Sequence, residues 1–136
     1  MSYATAAPLQ AAIYARLAGD PGLQALVGAA IHDAVPPGTP PGTFVVVGEG
    51  EVTDRSDATA AAAEHRLKIS VISAAAGFQT AKAVAGAVSD ALLARPEPTL
   101  SRGRVVGVWF QRAEAARVRS TGARRIDLTF RVLVED

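Results

Sequence analysis

The two histidines, His32 and His65, are the first side chains to test for catalytic or metal-binding chemistry. They are 33 positions apart, and neither belongs to an H-x-x-x-H pair, the spacing that places two imidazoles on one helical face. The absence of cysteine excludes thiolate catalysis, disulfides and cysteine-ligated metals. No G-x-S-x-G elbow presents a serine nucleophile. We therefore expect surface or hydrogen-bonded histidines, no catalytic residues, no metal and no cofactor, and predict that the protein is not an enzyme.

Acidic residues gather around a glycine pair at residues 48–57. Gly48 and Gly50 resemble the start of a dinucleotide-binding loop, but the third glycine is missing and carboxylates stand where a phosphate needs amides. The spacing of the acidic residues also does not match the D-x-[DN]-x-[DN]-G pattern of calcium-binding loops. We interpret the group as a solvated or partner-facing loop, and its members are Glu49, Glu51, Asp54 and Asp57.

Arginines cluster near the end of the chain. Residues 101–136 contain eight arginines and four acidic residues, a local balance of +4, although the whole chain carries only +1. Tight duplex binding needs a concentrated basic field, so we do not expect the protein to grip nucleic acid. Two interpretations of the cluster remain open: a solvated hairpin with scattered ion pairs, or a charged subunit contact or surface facing passing DNA. Seven of the eight form the cluster around the hairpin, namely Arg102, Arg104, Arg112, Arg117, Arg119, Arg124 and Arg125.

Three helices are predicted from apolar spacing and capping signals. Apolar steps of three and four residues predict helices over about Thr5–Ala18 and Gly77–Ala94. Asp20 as the N-cap and Pro21 at the first helical position predict a short helix that stops at Gly28. The expected buried stripes of the two long helices are Ala6, Leu9, Ile13 and Leu17, and Ala81, Val84, Ala85, Val88, Ala91 and Leu92.

Four strands are predicted. Phe44–Val47 is continuously apolar, and Glu64–Ser73 alternates between apolar and polar residues. Arg104–Arg119 and Arg125–Glu135 form a terminal hairpin. Its first strand is apolar on both faces from Val105 to Phe110, so we expect a second apolar sheet face that something else covers. Residues 48–63 are expected to be the end of a strand that runs into a mobile loop. Residues 36–43, with two Pro-Pro-Gly-Thr repeats, are expected to be an extended connector, with a Pro-x-x-Pro ligand as the alternative.

The order of elements predicts an α+β fold. We expect a mostly antiparallel four-stranded sheet, with the long helix and the N-terminal helix packed on one face and a terminal β-hairpin. At 136 residues the chain fits one domain, residues 1–136. It has no run of ~20 apolar residues that could span a membrane, and its first residues lack a secretory pattern. We therefore expect a soluble, intracellular protein with no membrane partner.

Several segments follow one another in a recognisable order: Ile31–Pro36, then Pro-Gly-Thr-Pro, Phe44–Glu49, Val52–Asp54, Glu64–Val71, and Gly77–Ala85 with Asp90–Leu92. Together they resemble the tail completion, or tail terminator, family of long-tailed phages and gene transfer agents. The resemblance covers nearly the whole chain and depends on order and spacing, since no segment is catalytic. The chain departs from the family around Phe44 and Ser73, where similar proteins often carry tyrosine and tryptophan.

The resemblance implies a subunit of a hexameric ring at the head-proximal end of a tail tube, in the tail or neck of a phage-like virion assembled in the bacterial cytoplasm. Such a ring stops tube polymerisation and joins the tail to the head connector. Its implied partners are copies of itself, the tail tube protein and the connector's stopper protein, while DNA passes through the lumen without specific binding. A ring joins two different patches of neighbouring copies. The candidate interface residues are Glu49, Glu51, Asp54, Asp57, Arg112, Arg117, Arg119, Arg124 and Arg125.

Two other functions remain open. A stopper or a tail tube protein also forms rings along the same axis, but tube subunits polymerise, whereas a terminator halts at one ring. The alternative of a different class is a small α+β dimer that binds a metabolite. That function predicts a deep apolar pocket containing titratable groups with perturbed pKa values.

Overall fold

In a computed structural model that describes residues 3–36 and 42–136, the chain forms three helices and five strands. In chain order these are α1 (Ala6–Ala18), α2 (Pro21–Val27), β1 (Ile31–His32), β2 (Thr43–Asp54), β3 (Ala62–Ser73), α3 (Gln79–Leu93), β4 (Arg104–Arg117) and β5 (Arg124–Glu135).

The five strands form one mixed sheet in the order β1-β2-β3-β5-β4. All neighbouring pairs are antiparallel except β1 and β2, which are parallel. The α+β class is confirmed, but the predicted four-stranded sheet is wrong in detail. The additional strand consists only of Ile31 and His32, which pair with Val45 and Val46. Two residues are too few for sequence alternation to indicate a strand.

The strands β2 and β3 extend into the segment that was expected to be a loop. β2 continues to Asp54, and β3 begins at Ala62, so the connection is only residues 55–61. A bulge between Val47 and Glu49 shifts the register and lets the polar half of β2 stay paired with β3. Gly50 permits this close pairing, because a Cβ atom at that position would lie 2.6 Å from the carbonyl oxygen of Arg66.

The helices cover one face of the sheet and enclose the core. Leu9, Ile13 and Leu17 of α1 are fully buried, as predicted, whereas Ala6 is half-buried. Every residue of the predicted α3 stripe is buried. The sheet contributes alternate residues of β5 to the same core, namely Ile126, Leu128, Phe130, Val132 and Val134.

The short helix α2 begins and ends where its capping residues predict. The backbone N–H of Leu23 donates to the Asp20 carboxylate at 2.9 Å, and Pro21 is the first helical residue. Gly28 follows the helix with a positive φ of 60°, a conformation that costs glycine little.

A bulge in β4 accounts for part of the apolar run that suggested a second apolar sheet face. The register shifts between Val105 and Gly107, so Val105 pairs with Val134 and Val108 pairs with Val132. Both valines therefore face the helices, although they are three residues apart. The face away from the helices, called here the open face, carries many polar and charged side chains: Glu49, Glu51, Glu64, Arg66, Lys68, Asp127, Thr129 and Arg131.

The predicted connector at residues 36–43, with its Pro-x-x-Pro alternative, falls mainly on residues outside the described ranges. The described residues resume at Gly42, whose φ is 84° and whose carbonyl oxygen accepts a hydrogen bond from the N–H of Ala74. Within residues 3–36 and 42–136, no helix has the length and apolar character needed to cross a membrane.

Candidate subunit interface

The strand β4 forms one outer edge of the sheet, and its second half is exposed. Within the described part of the chain it pairs with β5 alone. All nine residues from Trp109 to Arg117 are exposed. From Arg112 to Arg117, called here the arginine edge, the pairing with β5 contains no register shift. This stretch therefore presents a regular row of outward backbone N–H and C=O groups.

The polar half of β2 forms part of the opposite outer edge. β1 borders only Val45 and Val46, and the side chain of Gln10 donates to the carbonyl oxygen of Val47 at 3.1 Å. Residues Glu49–Thr53, called here the acidic edge, pair with β3 in constant register. No strand among the described residues lies on their other side. The sheet therefore has an exposed polar edge at each end of its strand order.

The four acidic candidates divide into two pairs with different surroundings. Glu49 and Glu51 lie on the exposed part of β2, and Glu49 makes a 3.2 Å ion pair with Lys68. Asp54 accepts from the N–H and hydroxyl of Ser56, and Asp57 accepts from the N–H and hydroxyl of Thr59. These hydrogen bonds lower the pKa of both aspartates and fix the 55–61 connection.

The five arginine candidates also divide. Arg112 pairs with Glu114 of its own strand at 3.1 Å, and Arg117 and Arg119 are exposed. Arg124 lies over the Phe78 ring, 5.5 Å from its centroid. Arg125 donates to Asp127 at 2.9 Å and to the Ser70 hydroxyl at 3.2 Å. The structure thus engages Arg124 and Arg125 within their own subunit and presents Arg112, Arg117 and Arg119 at the surface.

Two aromatic residues of β4 were predicted as strand residues but not as interface candidates. Trp109 remains 43% exposed, with its ring against Gly107 and with the Arg131 guanidinium 4.9 Å from the ring centroid. Phe110, on the opposite face, is 48% exposed and meets Phe130 edge to face. Their exposure follows from the edge position of β4, which the hairpin pattern alone does not reveal. Aromatic side chains of this kind are enriched at protein interfaces.

The histidines do not form a reactive centre. His65 is buried, its Nε2 lies 3.4 Å from the Thr5 hydroxyl, and burial lowers its pKa. His32 is half-buried beside the Phe44 ring. Among the described residues, no three histidine, aspartate or glutamate side chains are grouped so that they could hold a metal ion.

A groove of about 420 Å³ lies next to Trp109, between the 55–61 connection and strands β4 and β5. Charged side chains contribute much of its lining, with Arg55, Glu64, Arg131 and Glu135 among them. Metabolite sites are typically deep and mostly apolar, with a few placed polar groups. A charged surface groove of this kind is a poor match to that description, and it borders the exposed edge of β4.

The chain is similar to proteins of a known family and of known structure. The family described as tail completion protein gp17 matches residues 11–135. A solved structure titled as the virion of a native gene transfer agent particle contains a chain that is 57% identical and has a TM-score of 0.91. The match covers 99% of this chain and 100% of that one. No curated protein matches the sequence.

Proposed function

The chain belongs to the tail completion protein gp17 family. From this premise we propose that copies of the chain form the ring that closes the head-proximal end of a tail tube. It is a structural component of a phage-like virion, located in the tail or neck. In the proposed role, a hexameric ring stops tube polymerisation and joins the tail to the stopper protein of the head connector. This role is mechanical and needs no catalytic residue.

The observation that carries the proposal is the full-length match to a chain of a gene transfer agent virion at 57% identity. A likeness of this extent concerns the whole subunit and not one motif. The exposed edges of β2 and β4 give the proposal its physical basis, because they lie at opposite ends of the strand order. Two different patches on one subunit are what a closed heterologous ring requires.

The proposed interface contains acidic residues on one side and arginines on the other. Glu49 and Glu51 on β2 lie on the opposite end of the sheet from Arg112 and Arg117 on β4. Asp54, Asp57, Arg119, Arg124 and Arg125 remain part of the proposed contact. Of these, Arg124 and Arg125 act indirectly, because they hold the start of β5 against Phe78 and Ser70.

DNA is proposed to pass through the ring without specific binding. The net charge of the chain is only +1, so a ring built from it carries no strong field of one sign. On the open face, basic side chains such as Lys68 and Arg125 pair with acidic ones, including Glu49 and Asp127. These ion pairs limit the attraction of the surface for a polyanion.

Electron microscopy of particles made without this protein tests the proposal. A terminator predicts tails of uncontrolled length, or full-length tails that are not attached to heads. Particles of normal length and attachment would contradict the role. Complete absence of tail tubes would instead identify the chain as a tube protein, and heads that lose DNA beside tails of normal length would identify it as a stopper.

Native mass measurement of the purified assembly tests the metabolite-binding alternative. Six copies in one closed assembly support the ring. A stable dimer that retains a small molecule supports the alternative. The native mass is also measured after purified tail tubes are added, since a terminator subunit can assemble on the tube end.

A further inference from the structure

Building on the ring proposed above, we infer that one end of the sheet binds an acidic surface of a different virion protein, through cations that have no carboxylate partner in their own subunit. At this end β3 stops, β5 begins and α3 starts. The inference rests on the proposed function, because a ring that joins a tail to a head must contact proteins other than itself. The cluster, called here the basic end, consists of Lys82, Arg117, Arg119 and Arg124.

Two uncharged residues bring these cations together. The Phe78 ring has the Nζ atom of Lys82 at 5.9 Å and the guanidinium of Arg124 at 5.5 Å from its centroid. The carbonyl oxygen of Gly122 accepts from Arg124 at 2.7 Å, and a Cβ atom at Gly122 would lie 3.7 Å from an Arg117 nitrogen. Arg117 and Arg124 are also direct partners across β4 and β5. Like charges in such positions repel, and a bound anion would relieve this repulsion.

Carboxylates are missing from the segments that build the basic end. Residues 65–89 and 115–126 contain no aspartate or glutamate. The next acidic residue along β5, Asp127, already pairs with Arg125 at 2.9 Å and with Lys68 at 3.7 Å. Within the described residues none of the four cations forms an ion pair, whereas eight of the other ten cationic side chains do. The chain therefore gathers positive charge here without neutralising it.

Contact with an aromatic ring fixes a cation in place without cancelling its charge. An ion pair neutralises both of its members, but a cation over a ring keeps its full charge. Lys82, Arg117 and Arg119 are exposed, and the half-buried Arg124 adds positive potential beneath them. Positioned charges of one sign select a partner surface of the opposite sign. The complement of the basic end is therefore a group of carboxylates.

A second copy of this chain is a poor source of those carboxylates. Its exposed acidic pair, Glu49 and Glu51, lies opposite Lys68 and Arg66 in the register of β2 and β3. The two aspartate candidates accept hydrogen bonds from the backbone and hydroxyl groups of the 55–61 connection. The acidic groups of a copy are thus largely engaged at home, and a different protein is the better electrostatic partner.

DNA is the other polyanion of a phage-like neck, and the proposed function argues against it as the partner. Each phosphate that a protein neutralises releases counterions and strengthens binding regardless of sequence. Four free cations repeated in every copy of a ring would hold the DNA that the ring must let pass. Attachment to a neighbouring protein, in contrast, has to persist in the finished particle.

Carbodiimide cross-linking of purified particles tests the contact, because the reagent joins lysine amines to adjacent carboxylates. The chain has only two lysines, Lys68 and Lys82. Lys68 provides an internal control, since its Nζ atom is 3.2 Å from a Glu49 carboxylate oxygen and should be linked to it. We expect peptide mass spectrometry to find Lys82 linked to an aspartate or glutamate of a different virion protein. Lys82→Arg keeps the charge and should remove this link while particles stay normal.

Three outcomes of this experiment would overturn the inference. They are a link from Lys82 to an acidic residue of this chain, a formaldehyde link from Lys82 to DNA, and no Lys82 link in particles where Lys68 is linked to Glu49. The first would indicate a subunit contact, the second a surface that faces the DNA, and the third a solvated end.

Charge reversal tests whether the contact is needed for joining. Lys82→Glu with Arg117→Glu should reduce the fraction of heads joined to tails by about tenfold or more. The first change places a carboxylate near the start of α3, where the helix dipole favours it, so loss of folding is not expected. Arg95→Glu, which reverses another exposed cation just beyond the other end of α3, should leave joining unchanged. Normal joining with the double variant, incorporated at the parent level, would contradict the inference.

The results separate this inference from the proposed function. Unattached tails in the absence of the protein, together with no Lys82 link in complete particles, would keep the terminator role and refute the contact. A Lys82 link to an acidic virion protein, in particles whose tails form and attach normally without this chain, would keep the contact and refute the role.

Discussion

Addition of one methyl group at Gly50 and at Gly86 should have opposite effects on stability. At Gly50 in β2, the new Cβ atom would lie 2.6 Å from the Arg66 carbonyl oxygen on the paired strand. Both atoms belong to backbone held by the sheet, so neither can move cheaply. At Gly86, in the middle of α3, the added Cβ atom meets nothing within 4 Å.

The size of each effect follows from these surroundings. Overpacking of a well-packed site costs about 1–3 kcal/mol, so Gly50→Ala should lower the free energy of unfolding by this amount. Alanine is favoured over glycine in a helix by about 0.8–1 kcal/mol, so Gly86→Ala should raise it. With an unfolding entropy of about 2.1 cal/mol/K per residue, 1 kcal/mol shifts the Tm of a chain this size by about 3.5 °C. The expected shifts are about −3.5 to −10 °C and about +3 °C.

Differential scanning calorimetry of the two variants beside the parent protein measures both shifts. The comparison controls for the chemical change, because each variant adds the same methyl group. An unchanged Tm in Gly50→Ala would show that β2 and β3 are not as closely paired as described. A lower Tm in Gly86→Ala would contradict the exposed position of that residue on α3.

Three further results are expected. Asp20→Ala should lower the free energy of unfolding by about 1 kcal/mol in urea titrations, because it removes the cap of α2, whereas Asp90→Ala on the exposed face of α3 should change it little. Burial lowers the pKa of His65 below its ordinary value of 6.5, so the unfolded chain takes up that proton first as the pH falls. Its contribution to stability is complete above about pH 6.5 and declines below it, and His65→Gln should show a shallower decline of the urea midpoint between about pH 7 and 5.5; equal slopes would refute this role. Gly107→Ala would place a Cβ atom 2.6 Å from the Trp109 ring and should displace it, so iodide quenching of the chain's single tryptophan should increase. Unchanged quenching would contradict the packing of that ring against the strand.

Elements with a long repeating pattern could be predicted from the sequence. The stripe of α3 from Ala81 to Leu92 and the alternation of β5 from Ile126 to Val134 both match the structure. The cap at Asp20 could also be predicted, because its chemistry is local to three residues. In each case the pattern reflects a buried face, which is a strong constraint on residue type.

The elements that were missed depend on partners distant in the chain. β1 exists because Ile31 and His32 meet β2, and the polar half of β2 is a strand because β3 lies beside it. The bulge after Val105 places Val105 and Val108 on the same face although they are three residues apart, since a bulge interrupts the two-residue alternation of a strand. No local signal distinguishes these cases from a loop or from a strand buried on both faces.

The candidate interface could be predicted only as a set of charges. Sequence reasoning grouped Asp54 and Asp57 with Glu49 and Glu51, but the two aspartates accept hydrogen bonds within the 55–61 connection. It also grouped Arg125 with Arg112, although only Arg125 bonds to Asp127 and Ser70. Spacing along the chain gives the charge of a segment, whereas strand order decides which charges reach an edge.

A cryo-electron microscopy reconstruction of the neck of the assembled particle tests the central claim most directly. We predict a single closed layer of this subunit between the tail tube and the head connector, with β4 of each copy beside β2 of the next. Layers of the same subunit repeated along the tube, or isolated subunits without contact between β2 and β4, would contradict the account.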